Sequence, residues 1–388
     1  MNVAIVGVGI HPFGRFEGVT GLDLGAYAAR RALQDAGIEW RDVQFAFGGS
    51  LAGLLPGSDE SVQADQLVNL LGLTGIPFTN VHNGCATAGS MLAMGAALIE
   101  SGQYELGVCV GFDRHARGHF NVRPEQTGLP HWYGDLGFMV TTQFFAMKIN
   151  RYMHDFGITN STLAKVAAKN YRNGAANPNA WRRKPLTEEE ILRSPMLNYP
   201  LTQYMFCSPD EGAAAVVLCR GDTAHRYTDR PVYLRAVSVR TREFGSFEVF
   251  APGLAVERSH SPSVDAAAAC FEHAGVTPDD VDVAQLQDSE SGAEIMHMSE
   301  TGLCADGEQE AMIRAGETEI GGRLPINTDG GLIANGEPVG ASGMRQVHEI
   351  VLQLRGDVGE RQVPGAPRVG FTQVYGAPGV SCCTLLTT

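Results

Sequence analysis

The sequence predicts a duplicated α/β protein whose mainly parallel sheets are covered by helices. Apolar strand-like runs alternate with amphipathic helical stretches along the chain. The pattern near the start returns near residue 265, with Ala36/Ala274, Gly37/Gly275, Ile38/Val276 and Val43/Val281 sharing one offset. A small-residue elbow ahead of a helix also occurs once in each half. An offset this long means duplicated domains, not a solenoid, and the halves are read as 1–225 and 226–388.

The elements follow in order. Met1 to Val6 enters an apolar strand with no basic segment before it, so no signal peptide is expected. An Ala-rich amphipathic helix covers 23–34 and is closed by Gly37, a fit for the left-handed position after a helix. Asp42-Val43 leads into the next strand. Asn83-Gly84-Cys85-Ala86-Thr87-Ala88-Gly89-Ser90 forms an elbow before a helix over 91–101 and a strand over 106–110. Residues 113–210 have no counterpart in the second half; they place Arg, His, Trp and Tyr in irregular stretches, with a helix around 163–173. An inserted loop domain of this size usually builds a substrate lid or binding loop. In the second half a helix closes at Gly275, and a strand over 283–286 ends in Gln287-Asp288-Ser289-Glu290. The elbow 335–343 then precedes a helix over 344–355 and a strand over 368–372.

Composition narrows the function classes. The chain has 388 residues, 44% apolar and 19% charged, which is globular. No apolar run nears the ~20 residues of a membrane span. A net charge of −14 with no long basic run argues against general nucleic-acid binding, so a soluble cytoplasmic protein is expected. The eight cysteines show no CxxC pair and no zinc-ligand spacing, so no metal is expected. Most read as small buried hydrophobes of a reducing compartment, for example Cys219 in its apolar run.

Cys85 stands apart. At the start of a predicted helix, amide donors favour its thiolate and the flanking glycines admit a substrate; the alternative is a core cysteine in a tight turn. Glu337 occupies the matching elbow of the second half, either as an anion at a helix N-terminus or as a base, with Pro338 in the first turn. Asp288 is read first as a cap of the helix that follows it. The cluster Asn177-Pro178-Asn179-Ala180-Trp181-Arg182-Arg183-Lys184-Pro185 suits a phosphate-bearing, nucleotide-like ligand. Gly7-Val8-Gly9-Ile10-His11-Pro12 is rejected as a dinucleotide fingerprint, because Pro12 stands where the third glycine belongs.

Taken together these residues resemble the thiolase superfamily over nearly the whole chain, above all its sterol-carrier and lipid-transfer branch. The 83–90 elbow looks like the nucleophile segment, and 173–187 like the loop that contacts coenzyme A. Asp210-Glu211-Gly212-Ala213-Ala214-Ala215-Val216 resembles the "DGAAA" strand, and 327–343 the "GG…GHPxGATG" segment. The resemblance implies a duplicated five-layer α-β-α-β-α fold, with coenzyme A contacted by Arg182, Arg183, Lys184, Gly340, Ala341 and Ser342. It also implies a homodimer formed around the nucleophile segment, where Ala93, Gly95 and Ala96 would permit close approach.

The departures are informative. The family's GHP histidine is Glu337 here, and the branch's "HDCF" reads Gln287-Asp288-Ser289-Glu290. The segment Gln373-Val374-Tyr375-Gly376-Ala377-Pro378-Gly379 lacks the second, acid/base cysteine. This pattern resembles divergent bacterial thiolase-like proteins that work with a small zinc-ribbon/OB-fold accessory subunit, in a heterotetramer. That group includes thiolases of aromatic succinyl-CoA breakdown and retro-aldolases of steroid side-chain breakdown.

The expected site is therefore Cys85, Glu337, Ser289 and Gln287. A histidine can donate to an oxyanion, whereas an ionised glutamate can only accept. Cys85 and Glu337 should titrate as a coupled pair with one member neutral, thiol plus carboxylate being a workable resting form. The first reading is CoA-dependent thiolysis of a bulky 3-ketoacyl-CoA through an acyl-Cys85 intermediate, because Cys85 is retained. The alternative is retro-aldol cleavage of a 3-hydroxyacyl-CoA. A non-catalytic CoA- or lipid-binding subunit is third. Coenzyme A would be substrate or product, with no cofactor resident in the chain.

Overall fold

A computed structural model of the chain describes residues 1–51, 63–118, 123–127, 129–137, 141–243, 260–376 and 379–388. Nine strands form one sheet: β1 (Val3–Gly14), β2 (Phe45–Gly49), β3 (Phe78–Asn80), β4 (Leu106–Arg114), β5 (Glu211–Arg220), β6 (Val232–Thr241), β7 (Val283–Leu286), β8 (Val369–Gly376) and β9 (Val380–Thr387). Their spatial order is β3-β2-β4-β5-β1-β6-β9-β8-β7. The helices that position the site are α1 (Gly21–Asp35), α2 (Thr87–Glu100), α3 (Thr141–Phe156), α4 (Asn160–Ala175), α5 (Pro262–Ala274), α6 (Ser291–Glu300), α7 (Gly331–Asn335) and α8 (Val339–Arg355).

The expectation of mainly parallel sheets is overturned. Among the described residues, the pairs β2–β3, β2–β4 and β8–β7 are parallel, while β1–β5, β1–β6, β4–β5, β6–β9 and β8–β9 are antiparallel. Helical crossovers enforce parallel pairing only where one strand–helix–strand unit returns to its own sheet. Here the insert delivers β5 into the gap between β4 and β1 from the opposite direction. The C-terminal strands then close as a hairpin.

The layers follow the expected α-β-α-β-α order. α1 covers the strands of the first half, α5 those of the second, and α2 and α8 lie side by side in between, touching strands of both halves. Residues of α2, α8 and the two sets of strands share one core, including Met91, Leu92, Met344, Ile350, Val216 and Leu386. Gly7 and Gly9 exist for packing: a Cβ on either would run into the α1 carbonyls of Ala32 and Ala28. That close packing accounts for the Gly-x-Gly run. Gly37 and Gly275 take the left-handed conformation expected of them, at φ 67° and 69°.

The insert is more ordered than its sequence reads. α3 fills part of a stretch read as irregular, burying Phe144, Ala146 and Ile149. Its anchor is tertiary, since Ile149 sits against Gly292 of α6 at a spot a Cβ would occupy. α4 packs on α7 and α6 and carries buried Lys169 and Asn170 into the core. No helix among the described residues is long and apolar enough to cross a membrane.

Candidate functional site

Two central helices bring the two elbows together. α2 follows Cys85 and α8 follows Glu337, and the helices pack against each other at their N-terminal ends. Small residues permit the approach. A Cβ on Gly343 would lie 3.1 Å from the Ala88 Cβ and 3.4 Å from the Cys85 carbonyl oxygen. Gly89 fits against Cys382 of β9 in the same way, so it serves helix–strand packing. Gly84, at φ 54°, makes the sharp turn before the nucleophile segment.

The Cys85 thiol donates to Glu337 Oε1 at 3.3 Å. Gln287 Nε2 donates to the same oxygen at 3.1 Å, and the Cys207 thiol donates to Oε2 at 3.2 Å. The carboxylate thus sits between two thiols and an amide. Gln287 is itself fixed, its Oε1 accepting from the Tyr375 amide at 2.6 Å and its Nε2 reaching Ser289 Oγ at 3.5 Å. Of the expected site residues, Cys85, Glu337 and Gln287 are in direct contact, and Ser289 joins them through Gln287. Ala377 and Pro378 of the C-terminal segment lie outside the described residues.

The electrostatics follow from burial. The Cys85 thiol is pushed well above its ordinary 9.0, first by burial and second by the Glu337 charge. Its surface is only partly covered, yet protein atoms crowd the sulfur, so desolvation still dominates. The expectation that helix amides hold a thiolate is therefore corrected: Cys85 lies ahead of the helix, and Ala86 occupies the cap position. Cys207 is raised for the same reasons. Glu337 is also raised, by burial, while bonds from Cys207, Cys85 and Gln287 and the charge of His115 pull it down. Burial thus raises both members of the pair, and the Cys85 thiol is placed to donate to Glu337.

Glu337 does not serve as the anion of the α8 N-terminus. Gly340 N donates to Asp113 Oδ2 at 2.6 Å, and Val339 N points at His115 Nε2 at 3.2 Å, so the end of β4 supplies those partners. Pro338 is the cap residue and not a member of the first turn. Asp288 is corrected as well: it accepts from Leu332 and Ile333 at the start of α7, while Glu290 caps the helix that follows. Asp288 and Glu290 are both raised to about 8 by burial.

The residues expected at coenzyme A divide. Arg182 is turned inward, donating to Tyr171 Oη, to the carbonyls of Phe206 and Ile333, and to Ser208 Oγ. Arg183 and Lys184 are exposed beside it. Gly340, Ala341 and Ser342 are buried, and Gly340 packs against the Gly49 carbonyl oxygen. In the α2 segment expected to meet a second copy, Gly95 and Ala96 are also buried, with Gly95 against Leu218. The outward face is Met94 and Ala97.

Cys207, His115 and Asp113 escaped sequence reasoning. Cys207 stands in the run just ahead of β5, and nothing in its spacing ties it to position 337. Its neighbours in the fold make the tie, because Cys207 N donates to the Ser289 carbonyl and Glu337 N to the Ser208 carbonyl, both at 2.9 Å. Among the described residues no group of three or more His, Cys, Asp or Glu is placed to hold a metal ion.

Comparison with known proteins gives this geometry its context. The thiolase N-terminal domain matches residues 3–189, and the thiolase C-terminal domain-like family matches 257–388. The chain is 32% identical to an acetyl-CoA acetyltransferase of Methanothermobacter thermautotrophicus, over 97% of each chain. It is also 32% identical to sterol carrier protein 2 of Oryctolagus cuniculus, over 99% of this chain and 71% of that one. A solved Ltp2-ChsH2(DUF35) aldolase superposes with a TM-score of 0.85 at 24% identity, covering 100% of this chain and 98% of that chain. The chain belongs to the thiolase family.

Proposed function

We propose that the chain breaks a carbon–carbon bond beside a coenzyme A thioester, with Glu337 as base, and that its substrates are 3-hydroxyacyl-CoAs cleaved by a retro-aldol reaction. One observation carries this: a carboxylate held between two thiols that keep their protons. Family membership supports thioester chemistry, and similarity to an aldolase favours this reading over thiolysis. Glu337 takes the proton of the 3-hydroxyl, the C2–C3 bond breaks with its electron pair passing to C2, and C3 leaves as a carbonyl. The thioester enolate then regains that proton at C2 from the Glu337 carboxyl, so atoms and charge balance.

Thiolysis of a 3-ketoacyl-CoA is the second reading, favoured by Cys85 standing 3.3 Å from its base. There Glu337 takes the thiol proton and the sulfur attacks C3. The thioester enolate leaves and takes that proton at C2 from the Glu337 carboxyl; coenzyme A then attacks the acyl-Cys85 carbonyl, its thiol proton passing through Glu337 to the Cys85 sulfur as that sulfur leaves. In both readings the exposed Arg183 and Lys184 meet coenzyme A phosphates, and Arg182 shapes the loop from within. The chain would assemble as a homodimer through β3, the edge strand among the described residues, and the Met94 face of α2, each copy carrying one zinc-ribbon/OB-fold subunit.

Panels of 3-hydroxyacyl-CoAs, and of 3-ketoacyl-CoAs with coenzyme A, test this with the chain alone and co-expressed with such a subunit. The proposal expects carbonyl release from the hydroxy panel that survives Cys85→Ala. CoA-dependent cleavage that needs Cys85, with an acyl adduct seen by intact mass, would establish thiolysis instead. Inertness toward both panels would overturn both readings.

A further inference from the structure

Cys207 is the one thiol besides Cys85 that bonds the candidate base, and neither reading of the reaction uses it. Its position is built from the backbone. Its own amide donates to the Ser289 carbonyl, and the amide of Glu337 donates to the carbonyl of Ser208, the next residue. These two bonds, each 2.9 Å, tie the Cys207 segment to the stretch after β7 and to the elbow ahead of α8. The side chain is buried and its thiol spans 3.2 Å to Oε2, the carboxylate oxygen that faces away from Cys85.

We infer that Cys207 is the positioning residue of this site: its S–H fixes Oε2 so that Oε1 is presented to Cys85 and to Gln287. The inference rests on Glu337 being the base of the proposed reaction. A buried carboxylate in a low-dielectric site rotates and takes up a proton unless donors satisfy it. Oε1 has two donors, but Oε2 has Cys207. Without that bond, ionised Glu337 would leave one oxygen buried and unsatisfied, and the protonated form would gain.

Every group that surrounds the carboxylate enters the balance. His115 from the end of β4 favours its ionised form, and so do Cys85 ahead of α2 and Gln287 after β7. Burial opposes it. Asp210, next to β5, is buried, with neither carboxylate oxygen hydrogen-bonded among the described residues, and burial pushes it well above the ordinary range. Arg15 and Arg182 act on Asp210, and Asp288 and Arg182 act on Cys207. Among the donors to Glu337, Cys207 is the one whose removal leaves Cys85 and Gln287 in place.

The experiment reads Glu337 without any carbon–carbon substrate. Alkylation of Cys85 by iodoacetamide is followed by peptide mass across pH in wild type, Cys207→Ala and Cys207→Ser, with thermal melts as the folding control. Wild-type alkylation should rise as Glu337 ionises and begins to accept the Cys85 proton. Cys207→Ala should move that rise to higher pH and slow alkylation about tenfold below it, while Cys207→Ser, which restores a donor, should return it toward wild type. Cys207→Val fills the space without donating and replaces Ala if the smaller residue fails to fold. An unchanged rise in Ala and Val, or Ser behaving as they do, would overturn the inference. Loss of cleavage by the wild type with this alkylation pattern intact would refute the proposed function and leave the positioning role standing.

Discussion

Replacing Glu337 by Gln removes the proton acceptor and leaves the shape. The carboxylate accepts three bonds, from Cys85 and Gln287 on Oε1 and from Cys207 on Oε2. The Gln oxygen can keep the first two, and its NH₂ then faces the Cys207 sulfur, a weak acceptor. The structural cost is thus about one weakened hydrogen bond, about 1 kcal/mol, offset by no longer burying a charge. The catalytic cost is that of a general base, roughly 10²–10⁴-fold in turnover, or about 3–5 kcal/mol of barrier. Turnover of a responsive acyl-CoA is measured across pH beside a thermal melt. Because Glu337 is raised above its ordinary 4.5, wild-type activity should fall as pH drops through that raised value, and Glu337→Gln should lose this acid limb. Turnover within about threefold of wild type, with the acid limb still present, would refute Glu337 as the base and leave Ser289 or Tyr375 to be considered.

Three other perturbations follow from the packing and charge. Arg183→Ala with Lys184→Ala should raise KM for the acyl-CoA several-fold with kcat held, whereas Arg182→Ala should lower the melting temperature, since its guanidinium bonds are internal. Gly111→Ala drives a Cβ into the Gly340 carbonyl between β4 and α8 and should cost about 1–3 kcal/mol or more in urea unfolding. Glu290 is raised from 4.5 to about 8, so the folded chain holds a proton that the unfolded chain releases between those values. Its contribution to stability therefore declines as pH rises from about 4.5 to about 8. Glu290→Gln should flatten that decline in melts taken from pH 5 to 9, and an unchanged slope would contradict it.

The sequence by itself determined the duplication, the two elbows and the family. Each rests on short-range rules: left-handed glycines at 37 and 275 that close helices, apolar periods that set the elements, and ordered motifs around Cys85 and Glu337. The motifs also grouped Cys85, Glu337 and Gln287, which the fold brings into contact although they lie far apart in the chain. Strand direction was decided elsewhere, because β5 arrives after an insert whose path no local pattern encodes. Only the tertiary structure showed Arg182 facing inward, Asp288 capping α7, and Asp113 and His115 meeting the N-terminus of α8. The same holds for Cys207, whose sequence context is that of a buried hydrophobe. Its role comes from the close approach of the segments before β5 and α8 at the ends of the central strands. The raised Cys85 thiol belonged to the fold too, since its burial and the Glu337 charge beside it arise only once the two elbows meet.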